Sequence, residues 1–174
     1  MDRPIDCSSP KLINHRPETK QGGPTVSTET RYSYDELHEG QQCEIKRQLL
    51  AEDIDAFADA SGDQNPLHTD ADFARAAGFK DRIAHGMLLA SWISAALAHS
   101  LPGRGTVYLR QDLEFRQPAL PGDHLVILLT VREKKRRRRV IIDCKVCHED
   151  GRELLRGSAE VIAPPQTAAT TPQA

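Results

Sequence analysis

The chain predicts an α+β domain, an antiparallel sheet curled around one buried helix, and three patterns predict it. An alternating segment precedes a block of helical periodicities. One of those helical segments is apolar on nearly every side, and the chain after residue 102 reads as four consecutive strands. A helix without a polar face has to be covered, and the sheet that follows it is the covering at hand. Periodicity does not give the strand order.

Each element has its own warrant. Cys43, Ile45 and Leu49 share one parity with Arg47, so residues 42–50 read as a first strand. From Glu52 to Ala60, Ile54, Phe57 and Ala58 recur at helical spacing behind early acidic residues that suit a helix N-terminus. Residues 71–77 read as a second short helix ended by Gly78, and residues 83–100 as the buried helix, with Trp92 in the core. That last segment is slightly short for a bilayer and contains His85, Ser91, Ser94 and His99, which favours a protein core over a membrane. After Pro102-Gly103, Val107, Leu109, Leu113 and Phe115 alternate with Tyr108, Arg110, Asp112 and Glu114. Pro121-Gly122-Asp123 turns into a strand over 125–132, a charged hairpin leads to 140–148, and Glu149-Asp150-Gly151 turns into 153–162.

These elements bound the domain at 34–163. Residues 1–33, rich in Pro, Ser, Thr, Lys and Gly, read as a disordered extension, and 164–174 as a flexible tail or linker. A chain of 174 residues with 39% hydrophobic content suits one domain with a real core. A net charge of −2 gives no overall attraction to nucleic acid or anionic membranes, and neither is expected as a partner. No apolar segment follows the N-terminus and the four cysteines are scattered, which points to the cytoplasm and reduced thiols. Cys144 and Cys147, three apart on a strand, face opposite sides and do not converge on a metal. The run Lys134–Arg139 reads as a solvated hairpin tip.

The stretch Ser61-Gly62-Asp63-Gln64-Asn65-Pro66-Leu67-His68 is the most informative for chemistry. Gly62 and Pro66 break regular structure, so it reads as an ordered loop just ahead of the apolar helix. It places a carboxylate and an imidazole at a fixed spacing, a pair able to hold one water and move its protons. Asn65 reads as fixing the loop. Gly86 falls in the first turn of the apolar helix, where N–H groups lack intrahelical partners and no side chain blocks a carbonyl. His85 reads as structural, closing the helix start.

This loop, followed by Ala84-His85-Gly86-Met87-Leu88, by 101–109 and by Gln111-Asp112-Leu113-Glu114-Phe115, resembles the MaoC-like, or (R)-specific, enoyl-CoA hydratase family over residues 34–163. The resemblance implies the hot-dog fold and reversible syn hydration of a trans-2-enoyl-CoA to a (3R)-hydroxyacyl-CoA. It implies Asp63 and His68 as catalytic, Gly86 as the thioester-binding donor, Ser94 as supporting their hydrogen bonds, and no metal or other cofactor. Which of Asp63 and His68 protonates C2 stays open. The chain also resembles the hydratase module that precedes a phosphate acyltransferase in some bifunctional enzymes, for which the tail would serve as linker. Arg110 departs from the glycine usual in that family. Self-association, as a homodimer or higher, is implied as well, with the acyl chain running beside the central helix. A hot-dog thioesterase and a non-catalytic acyl-CoA-binding module are the competing readings; the first would release free thiol, the second would bind without turnover. For the basic run, the alternative to a solvated tip is steering of the coenzyme A phosphates.

Overall fold

The computed structural model of the chain describes residues 31–166. The disorder expected before residue 31 and the linker expected from 167 onward lie outside the described residues. Strands β1 (Gln42–Gln48), β2 (Val107–Phe115), β3 (His124–Lys134), β4 (Arg139–His148) and β5 (Glu153–Ile162) form one antiparallel sheet in the order β1-β3-β4-β5-β2. The connection from β1 to β2 holds four helices: α1 (Ala51–Ser61), α2 (Pro66–Thr69), α3 (Ala71–Ala76) and α4 (Gly86–His99). The chain joins the domain before residue 34, since Arg31 bridges to Gly103 and the Tyr32 N–H donates to the Pro102 carbonyl at 2.8 Å. At the other end Pro164 is buried and its carbonyl accepts from the Tyr34 N–H.

The core lies between α4 and the sheet. Alternate residues Leu125, Ile127, Leu129 and Val131 of β3 are buried, as are Val140, Ile142, Cys144 and Val146 of β4. Leu88, Leu89, Trp92, Ile93, Ala96 and Leu97 of α4 belong to the same cluster. The expectation of a helix buried all round needs correction. Met87, Ser91, Ala95 and Ala98 form an exposed stripe, because the sheet covers only one side of the helix within one chain. Its start also moves from 83 to 86. Ile83 and Ala84 are held extended by hydrogen bonds from the Ile83 N–H to the Leu67 carbonyl and from the Ala84 N–H to the Ala119 carbonyl.

The regular alternation expected along β2 also fails. A register shift between Tyr108 and Arg110 inserts Leu109 as an extra residue, so the two halves of the strand have opposite parity. β2 is a sheet edge, and Val107, Tyr108, Leu109 and Phe115 are all exposed while Leu113 packs on the core. At its back, Gly157 of β5 admits no side chain: a Cβ there would lie 1.9 Å from the Asp112 carbonyl oxygen. Cys144 and Cys147 are both buried, and burial pushes the Cys144 thiol up to about 12, which keeps it protonated.

Candidate active site

The loop after α1 is shaped by its own polar residues. Gly62 ends the helix in the left-handed region (φ 76°), its N–H donating to the Ala58 carbonyl. The stretch expected to be loop throughout contains one helical turn, because Pro66 supplies a preset φ at the first helical position. Asn65 caps that turn, its side chain accepting from the Leu67 N–H at 3.1 Å. Asp63 Oδ1 in turn accepts from the Asn65 N–H at 3.3 Å. His68 thereby sits within α2, half-buried, while Asp63 precedes it and is exposed.

Three hydrogen bonds lace this loop to the extended residues 83–85 ahead of α4. The Ile83 N–H donates to the Leu67 carbonyl at 3.0 Å, His68 Nδ1 donates to the Ile83 carbonyl at 2.8 Å, and His85 Nε2 donates to the Asp63 carbonyl at 3.0 Å. Because a carbonyl only accepts, these bonds fix both imidazole tautomers. His68 carries a proton on Nδ1, so in its neutral form Nε2 is the lone-pair atom. His85 carries a proton on Nε2, and among the described residues its buried Nδ1 has no hydrogen-bond partner. The two rings stack with centroids 3.8 Å apart, and Phe57 packs on His85 at 5.0 Å.

One donor atom each from Asp63, His68 and His85 lies within 4.8 Å of the others. A water accepting or donating at about 2.8 Å to two groups at its tetrahedral angle spans roughly 4.6 Å. A separation of no more than 4.8 Å leaves room for at most one bridging water, and the same donor set would also accept a divalent cation.

Gly86 is the first residue of α4, directly after His85. First-turn N–H groups of a helix point outward without intrahelical partners, at the positive end of its dipole. The ring of Phe115, at the far end of β2, covers this glycine so closely that a Cβ would meet ring carbons at 2.7 and 2.8 Å. Ser94 is half-buried two turns further along α4, and among the described residues no hydrogen bond joins it to the Asp63–His68 loop. Arg110 is on the exposed β2 edge beside Asp112.

Two features of the site differ from what the sequence predicts. His85 is expected to close the helix start, but its side chain makes no capping bond and ties the loop instead. His85 stands next to Gly86 in the sequence, and that adjacency was the available signal. The covering of Gly86 by Phe115 had none, since only the sheet brings them together.

A five-stranded antiparallel sheet packed on a central helix defines a hot-dog protein, and here an Asp–His pair is laced to the start of that helix. The chain belongs to the MaoC-like domain family, whose description, "MaoC like domain", matches residues 34–149. It is 36% identical over 131 residues to the (R)-specific enoyl-CoA hydratase of Rhodospirillum rubrum, covering 75% of this chain and 91% of that protein. It is 40% identical over 123 residues to a mitochondrial 3-hydroxyacyl-[acyl-carrier-protein] dehydratase of Arabidopsis thaliana, covering 68% of this chain and 72% of the other. Among solved structures, R-hydratase PhaJ1 of Pseudomonas aeruginosa, unliganded, superposes with a TM-score of 0.74 at 42% identity, over 82% of this chain and 94% of that one.

Proposed function

We propose that the chain is an (R)-specific enoyl-CoA hydratase, adding water reversibly to a trans-2-enoyl-CoA to give the (3R)-hydroxyacyl-CoA. The observation that carries this is that a carboxylate oxygen of Asp63 and a ring nitrogen of His68 lie within 4.8 Å of each other, close enough to share one water. Membership of the family and the names of the relatives supply the substrate class and the stereochemistry.

The water is held between the two acceptors and attacks C3 as it gives up a proton. With Asp63 ionised and His68 unprotonated at Nε2, neither group brings a proton of its own. The proton that C2 receives is then the one the water lost, carried on one face, and addition is syn. Asp63 takes that proton, while His68 orients the water and assists delivery. Charge developing on the thioester oxygen is met by the Gly86 N–H at the start of α4, a donor whose loss typically costs ~3 kcal/mol of transition-state stabilisation. The exposed stripe of α4 gives the acyl chain a path along the helix.

Two copies associate through the edge of β2, where Val107, Tyr108, Leu109 and Phe115 are exposed, as is Met87 on α4. An unpaired edge with apolar side chains is a surface that a second sheet covers. We place the protein in the cytoplasm; no helix among the described residues is long and apolar enough to cross a membrane.

Loss of enoyl absorbance with crotonyl-CoA, without release of free thiol, tests the reaction, and chiral analysis of the product tests its hand. Asp63→Asn and His68→Gln should each lower kcat by about 10²–10⁴-fold with the fold intact. Unchanged turnover in either variant removes that residue from the mechanism. The reaction is redox-neutral and the pair supplies both proton steps, so activity should survive dialysis against EDTA. A loss restored by Zn²⁺ would put a cation where we place the water.

A further inference from the structure

The turn between β3 and β4 is built from arginine where turn geometry asks for something else. Arg137 and Arg138 occupy its two central positions with φ of 59° and 58°, and the Arg139 N–H reaches back to the Arg136 carbonyl at 3.4 Å. This is a two-residue type I′ turn, for which Asn-Gly is the unstrained choice. Branched or long L-residues adopt the left-handed region at a conformational cost, so the charge of these side chains, and not turn propensity, accounts for their presence.

The charges of the run divide sharply. Arg139 pairs with Glu160 at 2.7 Å, Lys135 with Glu133 at 3.8 Å, and Lys134 lies over the Tyr34 ring while donating to the Leu37 carbonyl. Arg138 donates only to a neutral group, the Ala163 carbonyl, and Arg136 and Arg137 have no ion-pair partner among the described residues. What remains is a compact set of three uncompensated guanidiniums on a chain whose net charge is −2.

Their position decides what they face. Arg138 is bonded to Ala163, and Ile162 pairs with Val107, so the tip lies about two strand spacings, roughly 10 Å, from the start of β2. The Asp63–His68 site lies at the other end of β2, where Phe115 covers Gly86, roughly 27 Å along the strand. Antiparallel pairing of two β2 edges about a twofold axis reverses this. The Val107 end of one strand then lies beside the Phe115 end of the other, and the tip comes within about 15 Å of the partner's Phe115. The arm of coenzyme A between its sulfur and its diphosphate has about as many bonds as four residues of backbone, roughly 14 Å when extended.

We propose that Arg136, Arg137 and Arg138 of one subunit bind the phosphates of the coenzyme A whose thioester is hydrated in the other subunit. The inference rests on the hydratase reading and on paired β2 edges. Three guanidiniums on one turn match a compact polyanion, the diphosphate and ribose phosphate of one nucleotide end. The acidic surface of a carrier protein would need a wider patch, and the flanking cations here are already paired with Glu133 and Glu160.

The test compares wild type with Arg136→Gln/Arg137→Asn, which removes two charges that hold no structural bond and places Asn where the turn tolerates it. With crotonyl-CoA the variant should show a KM raised roughly three- to tenfold, kcat nearly unchanged and a flatter dependence on salt. With crotonyl-pantetheine, which carries no phosphate, the two proteins should turn over alike. Heterodimers fix the subunit: Asp63→Asn paired with the arginine variant leaves one active site faced by an intact tip, and its KM should be that of wild type. A raised KM there would place the contact within one subunit and overturn the proposal. Equal KM for crotonyl-CoA in both proteins, or an effect confined to an acyl-carrier-protein substrate, would overturn it too. Failure of wild type to hydrate either thioester would instead overturn the hydratase reading and the inference with it.

Discussion

His85 shows how one side chain decides the geometry of others. It is only 2% exposed, donates to the Asp63 carbonyl and stacks on the His68 ring, so it touches both halves of the pair. It is a positioning residue. His85→Ala removes a buried hydrogen bond and leaves a cavity, and should cost about 2–3 kcal/mol in urea unfolding. It should also lower kcat by at least tenfold with a smaller change in KM, because a pair misplaced by about 1 Å loses orientation before it loses substrate. His85→Gln, whose side-chain N–H can still reach that carbonyl, should recover most of both. Wild-type kcat in the alanine variant would mean that Asn65 and Ile83 hold the loop alone.

At the scale of elements, the position of β2 links the sheet to the site. Its last residue, Phe115, covers Gly86, and its backbone runs so close to Gly157 that a methyl group there would sit 1.9 Å from the Asp112 oxygen and 3.0 Å from the Leu113 Cα. Backbone cannot swing aside as a side chain can. Gly157→Ala should therefore push β2 off β5 and destabilise the protein by about 3 kcal/mol, read as a lower urea midpoint. Activity should fall with it, since Phe115 moves with the strand. A midpoint within error of wild type would mean that β2 is held loosely, and would weaken the account of Phe115. The lacing of residues 63–68 to 83–85 works in the opposite sense: it fixes where α4 begins, and so where its unpaired first-turn donors point.

At the scale of the molecule, a single chain leaves its site open. Asp63 is exposed, Met87 is 58% exposed at the start of α4, and the β2 edge carries four exposed apolar side chains. A second copy on that edge would cover these surfaces together. Leu109→Asp places two like charges at or near the pairing of the edges, which should cost about 3 kcal/mol and weaken association roughly a hundredfold. Sedimentation at micromolar concentration should then give the mass of one 19.3 kDa chain, with hydration lost in step. A fully active monomer would show that the site is complete in a single subunit.

Much of this was legible in the chain. The alternation of β3, β4 and β5, the apolar α4 and the Asp-x-Asn-Pro-x-His spacing are local patterns, and each imposes its structure through neighbouring residues alone. Asn65 and Pro66 set their turn without help from the rest of the fold. The exposed stripe of α4, the bulge at Leu109 and the ring of Phe115 on Gly86 were not legible, because each depends on how far a sheet reaches around a helix. The sequence by itself determined the elements and the chemical groups of the site, since hydrophobic period, turn residues and side-chain type act over a few positions. Only the tertiary structure decided which nitrogen of His68 is free and that His85 holds Asp63 in place, because those facts depend on carbonyls brought close by packing across 15 and 22 residues of chain.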